Sequence, residues 1–310
     1  MIRHMNRSFS TLFVILALAG LFLVNHLVLT DLANIAKSSP MPPELGFPAG
    51  TGNDRPVIRI GVVSRFAPNI IYAGYQPIID YLNRNGTFAY ELRLSTSYQD
   101  AVDLLDHREV TASFLGAWIT SGLKPNSDLI PLLAPLNAAG QSEFHMILVT
   151  GPNSDLSSMA QLAGRRLALP SPKSWSGNWL QLSGLPSVGL SVADLDSIHH
   201  FDHHQTVVWQ ILGGKFDAGV VKDAVAREYA DEGLVAVARS HPIPGPPLVG
   251  NRNAPAAALE EISRLLLALD PADPGDRAIL DTWTQEFSYG FAEVGWENYH
   301  RDPEAQEGNP

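Results

Sequence analysis

From Val57 onward, short apolar runs of strand character alternate with stretches of helical period, and that alternation limits the fold more than any other feature of the chain. The runs VIRIGVV (57–63), YELRLS (90–95) and VTASFLG (110–116) are separated by predicted helices around Tyr75 to Asn83 and Gln99 to Leu105. A second set begins at EFHMILVT (143–150). It continues through a short helix at Ser157 to Leu162, RRLALP (165–170), a strand near Ser197 to Phe201, a helix from His203 to Leu212, and FDAGVV (216–221). Two helical segments, Ala254 to Leu269 and Ala278 to Glu286, close the chain. The expected fold is α/β with two lobes and a cleft. Ligands of open α/β sheets sit at the carboxyl ends of strands, where loops enter helices.

Two segments of different character precede the alternation. Residues 1–36 carry Arg3 and Arg7, then the apolar run TLFVILALAGLFLVNHLVL from Thr11 to Leu29, broken only by Asn25 and His26. Its length lies at the lower edge of a membrane span and exceeds the usual signal-peptide core of about 7–15 residues. A small-residue cleavage pattern is poor, because Ala33 and Ala36 have Asp31 and Asn34 two positions earlier. An uncleaved signal anchor in the inner membrane is expected, with the basic end cytoplasmic and the remainder periplasmic. A cleaved leader and a buried core helix are the alternatives, the second opposed by the lack of a polar face. Residues 37–56, rich in Pro, Gly and Ser, read as a tether. The expected organisation is then lobe 1 over 57–142, lobe 2 over 143–240, a return to lobe 1 over 241–300, and a tail over 301–310.

Charge and composition exclude several functions. A net charge of −11 with 21 scattered Lys and Arg argues against a nucleic-acid partner. The absence of cysteine rules out disulfides, thiolate metal sites and a lipoprotein cysteine. No nucleophile elbow, phosphate-binding P-loop, zinc-protease motif or dinucleotide fingerprint occurs, and no carboxylate pair stands out. Neither an enzyme nor a cofactor is expected.

Two short stretches carry candidate chemistry. The first, SPKSWSGNW (171–179), follows the run ending in Pro170 and enters a predicted helix. Backbone N–H groups at a helix start, with the Ser174 and Ser176 hydroxyls and the close approach that Gly177 permits, suit an anion without any Lys or Arg. An ordinary serine N-cap explains the same letters. The second, SIHHFDHH (197–204), pairs His199 with His203 and His200 with His204 at i, i+4, a zinc spacing if both lie on one helix. Phe201 and Asp202 read instead as strand end and helix cap, which splits the set. His204 then opens a helix on the same cleft, where an imidazole can donate to an oxyanion.

The chain from Val57 to Tyr299 resembles the phosphonate/phosphate-type periplasmic solute-binding proteins of ABC importers. The landmarks are IGVV (60–63), YQPIIDYL (75–82), SYQDAVDLL with Tyr98, ASFLG (112–116), FHMILVT (144–150), LAGRRLALPSPKSWSG (162–177), HHQTVVWQILGGKFDAG (203–219), SHPIPGPPLV (240–249) and GFAEVGWENY (290–299). The resemblance implies the two-lobed type 2 periplasmic-binding-protein fold. It also implies that Ser174 and Ser176 match the hydroxyls of an S-T-S-G loop on the phosphono oxygens, Tyr98 a tyrosine reaching the anion from lobe 1, and His204 a ligand histidine. Three positions depart from the pattern. Trp175 replaces the middle threonine, Phe144 stands where many members have tyrosine, and Pro246 stands where aminophosphonate binders have aspartate, with Ala224 rather than Asp223 nearest a second acidic position. An ammonium group would lack partners there, which argues against an aminoalkylphosphonate.

The function expected from the resemblance is capture of phosphate, phosphite or an alkylphosphonate for an ABC permease, with Tyr98, Phe144, Ser174, Trp175, Ser176 and His204 as ligand residues. A membrane-anchored sensing module that partners a sensor kinase is the alternative, separable by neighbouring genes. A histidine-cluster metal protein is a third reading.

Overall fold

The computed structural model describes residues 55–125 and 127–299. The expected anchor at Thr11 to Leu29, nearly all of the tether and the tail lie outside the described residues. Among the described residues no helix is long and apolar enough to cross a membrane.

In chain order the elements are β1 (Val57–Val62), α1 (Pro68–Asn85), β2 (Ala89–Leu94), α2 (Tyr98–Asp106), β3 (Ala112–Phe114), α3 (Ala117–Gly122), β4 (Leu129–Pro135), β5 (Glu143–Phe144), β6 (Met146–Thr150) and β7 (Arg166–Leu169). There follow α4 (Trp175–Trp179), a π turn at Leu180–Gly184, α5 (Leu185–Ser187), β8 (Ser197–His200), α6 (His204–Leu212), β9 (Ala218–Lys222), α7 (Asp223–Glu228) and β10 (Val235–Arg239). The chain ends through β11 (Ile243–Pro244), β12 (Leu248–Asn251), α8 (Ala256–Leu267), α9 (Pro274–Leu280), β13 (Phe291–Glu293) and α10 (Trp296–Tyr299).

Six strands in the order β2-β1-β3-β12-β4-β13 form one sheet, and five in the order β8-β7-β9-β6-β10 form the second. Strand β1 runs parallel to β2 and β3, whereas β12 is antiparallel to β3 and β4. In the second sheet β7 lies parallel to β8 and β9, and β6 is antiparallel to β9 and β10. Each sheet has its own core. Ile60, Ile78, Leu82, Leu133 and Phe287 belong to the first, and Met146, Leu148, Leu167 and Leu180 to the second. The pair β5–β11, with Phe144 opposite Ile243, marks the two chain crossings.

Local sequence explains most of these elements. Pro68 sits at the start of α1, where a missing N–H costs nothing and the fixed φ suits a helix. Ile71, Tyr75, Ile78, Ile79 and Leu82 then form one buried stripe, which carries the helix seven residues further toward the N-terminus than expected. Glu261 of α8 is buried and accepts from Thr87 N and Oγ1, both at 2.7 Å, and from Tyr90 Oη at 2.8 Å. It ties the α1–β2 turn to a helix 174 residues away.

Several expectations are corrected. The last predicted helix, Ala278 to Glu286, is α9 over Pro274–Leu280, because Asp273 caps it by accepting from Gly275 N and Asp276 N. The segment expected at Ser157 to Leu162 is a 3₁₀ turn over Met159–Leu162, and His203 rather than Asp202 is the cap residue of α6.

Candidate functional site

Strand β7 is buried through Leu167, Ala168 and Leu169, and the chain leaves it at Pro170 into the loop Ser171–Ser174. Ser174 is the N-cap of α4: its Oγ accepts from Gly177 N at 3.2 Å and donates to Ser171 O at 2.8 Å. Asn178 Nδ2 donates to Pro172 O and Ser174 O at 2.6 and 2.7 Å, which fixes the loop against the helix. Gly177 is required here, since a Cβ would stand 2.2 Å from Ser171 O. The close approach that this glycine permits is therefore to the loop's own carbonyl. Ser176 is 2% exposed and its Oγ reaches only Met146 Sδ, at 2.9 Å, a weak acceptor.

All six residues singled out from the sequence line one cavity of about 40 Å³ between the lobes. Tyr98, the first residue of α2, enters from one side. Ser174, Trp175, Ser176 and His204 enter from the other, and Phe144 comes from the crossing strand β5. The Trp175 indole meets Trp118 of α3 edge to face, with ring centroids 4.8 Å apart. The two rings close the cavity from opposite lobes.

His204 is 3% exposed, and its Nδ1 has no partner. Burial, with Lys222 and Arg65 nearby, pushes its pKa down to about 3, so the imidazole is neutral and holds one ring nitrogen free. Burial raises the Tyr98 phenol to about 12 against the opposing influence of Arg65, which keeps it a donor.

Sequence reading missed the strongest charges at this site. Arg65, just beyond β1, and Lys222, the last residue of β9, both line the cavity and are both buried. They share one carboxylate: Arg65 Nη2 donates to Glu286 Oε2 at 2.5 Å and Lys222 Nζ to Glu286 Oε1 at 2.8 Å. Arg65 also donates to Tyr75 Oη, while its Nε is buried without a partner. Lys222 Nζ stands 4.4 Å from the centre of the Phe144 ring, so the phenyl group serves the ammonium where a tyrosine would offer a hydroxyl. Although burial opposes ionisation, Arg65 and Lys222 together hold Glu286 down at about 2. The expectation that neutral donors alone furnish the site is corrected. One signal was present in the sequence, a basic residue at the carboxyl end of each of two apolar strands. Glu286, 221 residues from Arg65, left none.

The histidine cluster is divided by the fold. His199 and His200 lie on β8, His203 caps α6 and His204 begins it, so neither i, i+4 pair shares a helix. His200 Nδ1 bonds Pro170 O at 2.7 Å, and the exposed His199 packs its ring 4.5 Å from that of Phe201. Among the described residues no three metal-ligating side chains gather.

A larger and more open cavity of about 420 Å³ adjoins the first and shares Phe144, Lys222 and Pro246 with it. Asp223 and Ala224, which the resemblance associates with an ammonium partner, line this larger space and not the smaller one.

The profile of the family described as ABC transporter, phosphonate, periplasmic substrate-binding protein matches residues 60–299. No curated protein matches the sequence. Among solved structures, a binding protein component of an ABC phosphonate transporter from Pseudomonas aeruginosa superposes with a TM-score of 0.67 at 14% identity, covering 78% of this chain and 82% of that one. PhnD1 from Prochlorococcus marinus, in complex with methylphosphonate, gives 0.68 at 15% identity, with 81% and 96% covered. A Xanthomonas citri protein bound to ATP gives 0.58 at 19% identity, with 81% and 93% covered. At these low identities the superpositions show a shared fold and no more.

Proposed function

Because this chain belongs to the phosphonate periplasmic substrate-binding family of ABC transporters, we propose that it captures a small phosphorus oxyanion in the cavity between Tyr98, Ser176 and His204 and delivers it to a permease. The observation that carries this reading is the set of buried groups around 40 Å³ of space: two cations, Arg65 and Lys222, and a free His204 Nδ1. A water-sized group needs roughly 10–15 Å³ by such a measure, so the space suits a bare oxyanion or one with a very small substituent. Phosphite and methylphosphonate fit that description.

Each group has a role in this reading. Arg65 Nε and Lys222 supply charge, and Tyr98 and the tautomer of His204 with hydrogen on Nδ1 each donate a hydrogen bond. Ser176 exchanges a sulfur for an anionic oxygen, a gain because hydrogen bonds to charged groups are worth about 1.5–3 kcal/mol each. Ser174 contributes through the helix start that it caps. Trp118 and Trp175 exclude water. The apolar run Thr11 to Leu29 keeps the protein on the membrane, which resistance to alkaline extraction would check. Calorimetric titration of the full-length chain with methylphosphonate, phosphite and phosphate is the main test, and binding of none of them would refute the proposal.

A further inference from the structure

The geometry points to a ligand that carries a single negative charge when bound, with Glu286 setting that preference. This inference rests on the oxyanion reading above and adds the charge state that the site selects. Two cations, Arg65 and Lys222, face the cavity, and one carboxylate, Glu286, spends one oxygen on each. One positive charge is left over. A monoanion brings the buried sum to zero. A dianion leaves one negative charge uncompensated beside Arg65 and Lys222, which are both more than nine-tenths buried, a costly state in a low-dielectric interior.

The remaining ionisable groups around the cavity do not alter that count. Tyr75, Tyr98 and His204 are neutral, with burial raising the two phenols and lowering the imidazole. Asp223, beside Lys222, is turned toward Arg227 at 3.4 Å, while Asp202, near Tyr98, is exposed to solvent. His203, beside His204, is half-buried and heads α6. Solvent screens the exposed members far more than it screens Arg65, Lys222 and Glu286.

The probe is methylphosphonate, which loses its second proton near neutrality. Its affinity for the full-length protein is measured by calorimetry from about pH 6 to about pH 9, in buffers of different ionisation enthalpy. If only the monoanion binds, affinity falls about tenfold for each pH unit above the ligand's second pKa, since the competent fraction falls in that proportion. Close to one proton is then taken up per ligand bound at the alkaline end. Glu286→Gln leaves two positive charges unopposed, so the same titration should flatten or reverse. Because burial lowers the Lys222 pKa, loss of its proton could also weaken binding at high pH. That loss would act in both proteins, and it cannot produce the reversal. Wild-type affinity that is constant or rises with pH, without proton uptake, overturns the single-charge inference and leaves the oxyanion reading standing. Failure of methylphosphonate, phosphite and phosphate to bind at every pH overturns both.

Discussion

Ser174 and Ser176 stand two residues apart and do different work. Ser174 spends its hydroxyl on the helix start, so Ser174→Ala should cost about 1 kcal/mol of stability, read by urea unfolding, as loss of an N-cap does. Ser176 has only a sulfur partner, so Ser176→Ala should leave stability almost unchanged while weakening methylphosphonate binding about tenfold, about 1.4 kcal/mol. Equal effects on stability would show that the two hydroxyls are both structural. His204 adds a pH signature. Its folded pKa is held near 3 by burial and by the nearby cations, below its unfolded value, so the unfolded chain binds a proton that the folded one refuses. Stability from this group is fully present above about pH 6.5 and declines as pH falls toward the folded value, by about 1.4 kcal/mol per unit. Urea unfolding between about pH 7 and pH 4 should show this slope, and His204→Gln should remove that share of it. Persistence of the full slope in the variant would mean that other groups carry it.

At the scale of elements, Glu261 binds α8 to the turn before β2, and Glu261→Ala should lower stability by roughly 3 kcal/mol in denaturant unfolding, because Thr87 and Tyr90 lose an ionised acceptor. A loss below about 1 kcal/mol would show that water replaces the carboxylate. The longer helices α1, α2, α6 and α8 and the parallel strands were legible in the sequence because their cues are local, a period of residues bounded by turns, whereas the short helices α3 and α7 were not. Strand β4 was not. Its segment LIPLLAP carries Pro131 and Pro135, which oppose a central strand, yet it lies between β12 and β13. The ladder accommodates them: the β12 register shifts between Leu248 and Val249, where Val249 faces Pro131, and Pro135 pairs with Phe291 at the end of the strand. Strands β12 and β13 were equally hidden, since each is defined by partners more than 100 residues away.

At the scale of the molecule, contacts that join the lobes around the cavity include Lys222 with Glu286, Trp118 with Trp175 and Phe66 with His204. Lys222→Met keeps the stem but removes the charge, which breaks this ion pair between the lobes and cancels the net positive charge of the cavity. Small-angle scattering should report a larger radius of gyration for the unliganded variant, and titration should show at least a tenfold loss of methylphosphonate affinity. An unchanged radius with unchanged affinity would mean that the bridge neither closes the cleft nor serves the ligand. The sequence by itself determined the α/β class and the strand-to-helix loop at the end of β7 with Ser174 and Ser176, because strand ends and helix starts are written in neighbouring letters. Tyr98, Phe144 and Trp175, which line the same cavity, were singled out by the family resemblance. Only the tertiary structure decided the electrostatics. Whether Arg65 and Lys222 are exposed or buried, and whether one carboxylate serves both, depends on which parts of the chain the two sheets bring within a few ångströms. Over a separation of 221 residues no local pattern carries that information.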